Sequence, residues 1–114
     1  MKAAFALLFI LMTVPAWSQD DPCKALLDKW GWKVEAETGS GPLEIPKKLT
    51  GLPFYHYQAA SREAGLDLSP FGGQEAKLRT FLLTERGAEY GAKIFAHIAV
   101  KDGRVIGAWL STDA

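Results

Sequence analysis

A small α+β domain with the element order α-β-(β)-α-β-β-β is predicted by three observations. Helical and alternating apolar periods follow one another along the chain, an Asp-Gly turn joins two strand-like segments near the end, and glycines stand where two helices should stop. Two helices are expected on one face of a four- to five-stranded antiparallel sheet.

The first helix begins after Asp20 or Asp21, either of which serves as an N-cap, with Pro22 in the first turn where its missing N–H costs nothing. Cys23, Leu26, Leu27 and Trp30 recur at i, i+3, i+4 and i+7, an apolar stripe opposite Lys24, Asp28 and Lys29, and Gly31 ends it. The period then becomes two. Trp32, Val34 and Ala36 alternate with Lys33, Glu35 and Glu37 as a half-buried strand. Thr38-Gly39-Ser40-Gly41-Pro42 reads as a turn, and Leu43-Glu44-Ile45 as a short edge strand stopped by Pro46.

A second helix is expected from Leu52 to Ala64, with Phe54, Tyr57, Ala60 and Ala64 inward, Gly65 at C′ and Leu66 folding back in contact. In the connector Asp67 to Gly73, Leu68 and Phe71 plug the core, and Asp67 bonds the following Ser-Pro turn. Segments 76–84 and 92–101 are strand-like. Asp102-Gly103 forms a type I′ hairpin into a last strand, 105–112.

An uninterrupted hairpin register pairs Val100 with Val105, Ile98 with Gly107, Ala96 with Trp109 and Ile94 with Ser111 on the helix-covered face. The other face then carries Phe95, His97, Ile106 and Leu110, more apolar than a solvated sheet face should be. Two readings stand: coverage by the loop from Glu85 to Gly91 or by a second copy in a homodimer, and a partner-binding site made of those four residues.

The amino terminus has the pattern of an export signal. Lys2 precedes an apolar run from Ala3 to Val14, too short for the roughly 20 residues that span a bilayer. Pro15 breaks it, and Ala16-Trp17-Ser18 places small residues for cleavage between Ser18 and Gln19. Residues 1–18 are thus expected to be removed and 19–114 to act as a single domain outside the cytoplasm, periplasmic or secreted. Asp20, Asp21 and Pro22 before Cys23 do not suit a lipid-anchor signal.

Thirteen basic and thirteen acidic residues balance, which argues against a nucleic-acid partner and against charge-driven membrane attachment. Cys23 is the only cysteine, so no internal disulfide forms and packing must hold the domain. As a catalytic alternative, Cys23 paired with His97 or His56 would give a small secreted hydrolase. Its place in the apolar stripe argues for an inert buried thiol instead. Two histidines and one cysteine do not assemble a metal site, the glycine pairs lack a phosphate-loop setting, and no cofactor is expected. Trp30, Trp32 and Trp109 fall on predicted core faces rather than forming a carbohydrate platform. The reading is a non-catalytic binding, inhibitor or adaptor module.

Trp30-Gly31-Trp32-Lys33-Val34, Ile45-Pro46, Tyr57, Ala64-Gly65-Leu66-Asp67-Leu68-Ser69-Pro70-Phe71 with Gly73, and Gly103-Arg104-Val105-Ile106-Gly107 together resemble an uncharacterised bacterial domain, DUF4830. Ala59 and Ser61 depart from it, standing where relatives carry larger or longer residues. The resemblance implies an exported or surface-attached α+β domain and assigns no active site.

Overall fold

The computed structural model describes residues 21–87 and 91–113. The expected signal segment and its cleavage position at Ser18 and Gln19 therefore lie outside the described residues, as does the middle of the loop from Glu85 to Gly91. The elements are α1 (Pro22–Lys29), β1 (Val34–Glu44), α2 (Phe54–Glu63), a 3₁₀ turn (Ser69–Phe71), β2 (Glu75–Arg86), β3 (Lys93–Lys101) and β4 (Arg104–Thr112). The strands form one antiparallel sheet in the order β1-β2-β3-β4. Among the described residues, two helices and an antiparallel sheet, in the expected order, make a single α+β domain. Among the described residues no helix is long and apolar enough to cross a membrane.

Both helices stop by the same device. At the end of α1 the Trp32 N–H donates to the Leu27 carbonyl and the Gly31 N–H to that of Asp28, with Gly31 at φ +84°. At the end of α2 the Leu66 N–H donates to Ser61 and the Gly65 N–H to Arg62, with Gly65 at φ +82°. These are Schellman closures, which need a left-handed residue that glycine adopts without a Cβ clash. Each turns an apolar residue, Trp32 or Leu66, back against the core. At the other end of α1, Asp21 caps by accepting from the Cys23 and Lys24 N–H groups.

Asp21 is also the outer half of an ion cluster. The Arg79 guanidinium forks onto both Asp21 oxygens at 2.9 and 3.0 Å and onto both Glu37 oxygens at 2.9 Å. It lies 5.0 Å over the Phe81 ring. These bonds hold both carboxyls below their ordinary range, chiefly through Arg79. The helix start is thereby fastened to β1 and β2.

The turn expected at Thr38–Pro42 is not there. β1 runs unbroken through Gly39, Ser40, Gly41 and Pro42, paired with Thr80, Arg79, Leu78 and Lys77, and absorbs extra residues at Glu35 and Thr38. The two short strands are therefore one. An edge strand has partners on one side only, so proline's missing donor faces away from the ladder and glycines and bulges are tolerated.

The Asp102-Gly103 hairpin is type I′ as expected, with φ +52° and +77°, and Lys101–Arg104 and Val100–Val105 pair as predicted. Beyond them the register slips by one. Ile106 is an extra residue in β4, so Ala99 faces Gly107, Ile98 faces Ala108, His97 faces Trp109 and Ala96 faces Leu110. The bulge moves Trp109 to one side of the sheet and Leu110 to the other.

The core divides accordingly. Under α1, Cys23 and Leu27 pack on Phe81, Leu83, Ala96, Ile98 and Ala108. On the opposite side Leu68, Ile45, Ala76, Ala99, Ile106 and Trp109 form a second cluster, joined by Tyr57 and Ala60 of α2 and by Phe71. The α2 helix runs beside β4. Its fully buried Ser61 hydroxyl donates to the Ala108 carbonyl at 3.3 Å and accepts from the Ala108 N–H at 3.0 Å. One side chain thus satisfies two backbone groups that the last strand of the sheet would otherwise leave unpaired.

Replacing Ser61 by Ala should cost about 1–3 kcal/mol, since both Ala108 groups stay buried without a partner. Denaturant unfolding measures it. A loss under about 0.5 kcal/mol, the level of an ordinary surface substitution, would mean the edge is not held this way.

Candidate functional site

Of the four residues expected to share a binding face, Phe95, His97 and Ile106 keep to one side of the sheet and Leu110 leaves it. Ile106, the bulge residue, is buried in the second cluster. Leu110 stands beside Ala96 on the α1 side and is 47% exposed, while Phe95 and His97 lie half-buried on the opposite side. The bulge alone causes this correction, because a one-residue slip exchanges the faces of all that follows.

His97 is held on both ring nitrogens. Its Nδ1 lies 3.2 Å from the Thr80 hydroxyl and its Nε2 2.7 Å from that of Ser111. Its ring lies 6.0 Å from Trp109, which stacks at 4.1 Å and 9° on Tyr57. Burial pushes the His97 pKa down. As pH falls through about 6.5, His97 in the unfolded chain takes up a proton that the folded ring resists, so acid favours unfolding in that window.

The melting temperature is therefore expected to drop between about pH 7 and pH 5, and His97→Gln should flatten that part of the profile. His56, exposed on α2, is present in both proteins and cancels from the comparison. An unchanged slope in the variant would refute the assignment.

Cys23 is 0% exposed among the residues under α1, and burial pushes its thiol up. The sheet lies between it and His97. The postulated Cys23–His97 pair is not assembled, and His56 is exposed on a different helix. Asp67, the other acid singled out in the sequence, accepts from Gln58 at 2.6 Å and from the Ser69 N–H and hydroxyl at 2.9 and 2.7 Å. Led by the Gln58 bond, these hold its carboxyl at about 2. It builds the Ser-Pro turn, as its position predicted. Among the described residues, no three metal-ligating side chains converge.

What the structure does bring together is a cleft between the end of α1 and the flank of α2, of about 360 Å³. Its floor is the α1 side of β3 and β4, at Ala96, Ile98, Ala108 and Leu110. Leu27, Trp30 and Trp32 line one wall, and Ala60, Glu63 and Ala64 the other. The volume is within the range of small-ligand sites, about 300–1,000 Å³. Trp30 was expected in the core, yet it is 38% exposed. It is the C-cap of α1, one residue past the regular helix, so the apolar stripe has run out beneath it.

The sequence signal for this site was the Trp30-Gly31-Trp32 triplet. Only Gly31's left-handed turn brings both indoles to one wall, and only the bulge delivers Leu110 to the floor. A broader groove of about 590 Å³ runs along α1, lined by Asp21, Lys24, Asp28 and Lys33. Ala25, Trp32 and Val34 also line it, but four charged side chains of both signs stand among them, unlike the single charge of the cleft.

A family model for a domain of unknown function, DUF4830, matches residues 26–110, and the chain belongs to that family. No curated protein and no solved structure matches it.

Proposed function

We propose that this DUF4830 domain is a non-catalytic binding module acting outside the cytoplasm, and that it binds through the cleft between α1 and α2. The observation that carries the reading is the cleft itself. An apolar floor with Trp30 and Leu110 left substantially exposed at its rim is costly to present to water unless something covers it. The nucleophile of the hydrolase alternative is inaccessible in the fold, which weighs against that alternative. A thiol reagent should label Cys23 only after denaturation, and rapid labelling of the folded protein would restore the catalytic reading.

Small apolar probes followed by NMR test the binding site. Shifts are expected to cluster at Trp30, Ala64 and Leu110 and to vanish in Leu110→Lys at an unchanged melting temperature. Shifts centred instead on Phe95 and His97 would move the site to the opposite side of the sheet.

Export rests on the amino-terminal pattern of Lys2, the apolar run and Ala16-Trp17-Ser18. The mature protein should begin at Gln19 by mass spectrometry of the extracytoplasmic fraction. Recovery of the uncut chain in the cytoplasm alone would overturn it.

A further inference from the structure

Resting on the cleft as the binding site, we infer that its occupant is a small, soluble quaternary ammonium compound of the choline type. Two observations on the cleft carry this. Trp30 and Trp32 line one wall, and Glu63, on the other, is the only charged side chain among the described residues that line it. Among the described residues Glu63 forms no ion pair.

Indole faces attract cations through the ring quadrupole, and a carboxylate on the opposite wall adds the complementary charge. A neutral apolar ligand would satisfy the floor but would be drawn no closer by Glu63. An anion would be repelled.

The chemistry of the lining also selects among cations. A primary ammonium brings three N–H donors that must keep acceptors when it leaves water, and a guanidinium brings five. The lining side chains offer a single acceptor group, the Glu63 carboxylate. Either cation must therefore keep its remaining N–H donors on water at the rim, which bars it from resting on the apolar floor. A quaternary ammonium has no N–H to satisfy, so its methyl groups can rest on the alanine-lined floor while its charge lies between the indoles and Glu63. The exposed rim at Trp30 and Leu110 leaves room for the polar end of such a molecule to remain in water.

Isothermal titration of the folded protein with choline, with its uncharged carbon isostere dimethylbutanol and with ethanolamine tests the inference. Choline should bind about tenfold more tightly than either. Glu63→Gln should erase the advantage over the isostere, and Trp30→Ala should abolish choline binding, both variants retaining the parent's melting temperature.

Equal binding of choline and dimethylbutanol would overturn the ammonium inference while leaving an apolar binding cleft in place. No binding of any of the three would overturn both. A homodimer in sedimentation that dissociates on Trp30→Ala would likewise overturn it, by showing that a second copy fills the cleft.

Discussion

Phe81→Ala is expected to destabilise the domain by about 3–5 kcal/mol, the range for emptying a large buried aromatic site. Phe81 is the largest fully buried side chain among the described residues. It lies on β2 directly beneath α1, paired with Glu37 on one side and Ala96 on the other. Its partner across the strand, Ala96, is short and cannot fill the space. The substitution also removes the ring under the Arg79 guanidinium, which fastens the start of α1. A domain of this size usually has about 5–15 kcal/mol in all, so the variant should sit near the edge of unfolding. The melting temperature should fall by at least about 12 °C, at about 4–8 °C per kcal/mol. Phe95→Ala provides the internal control. Phe95 is half-buried on the opposite side and should lose much less. Equal losses at the two positions would contradict the division of the core between the two sides of the sheet.

The parts of this fold legible in the sequence are those fixed by neighbours in the chain. Asp21 and Pro22 open α1, Gly31 and Gly65 close the helices, Asp67 builds its turn and Asp102-Gly103 sets the hairpin, each through bonds spanning a few residues. The bulge at Ile106 left no such mark. Val105 and Ile106 are both β-branched and apolar, so the alternation reads equally well in either register, and only contacts from elsewhere decide. The Gly39–Pro42 segment was misread for a related reason: its residues favour turns locally, but an edge strand with one free side can keep them. The cleft depends on both kinds of long-range information. The Trp30-Gly31-Trp32 motif was visible but both indoles read as core, whereas the floor required the shifted register and the far wall required α2 to sit against β4.

That seat of α2 leads to the second large effect. Leu68→Ala should cost about 2–5 kcal/mol, because Leu68 is fully buried at the centre of the second cluster. The reason Leu68 and Ser61 can approach β4 so closely is Gly107. A Cβ placed there would meet Leu68 Cδ2 at 2.6 Å, Leu68 Cγ at 3.0 Å and Ser61 Oγ at 3.1 Å. Gly107 does not have the positive φ of the turn glycines, so alanine at this position is excluded by contact rather than by backbone strain. Gly107→Ala alone should therefore cost about 1–3 kcal/mol through overpacking. The two losses should not add. Leu68→Ala removes the two nearest atoms, and the new Cβ partly fills the space they leave. The double variant should be more stable than the sum of the single changes predicts by about 0.5–3 kcal/mol, measured as a double-mutant cycle in denaturant. The remaining contact with Ser61 Oγ needs an adjustment of only a few tenths of an ångström, so relief should be substantial but incomplete. Strict additivity would mean that Leu68 does not rest on Gly107, and that the position of α2 against the last strand is set by the Ser61–Ala108 bonds alone.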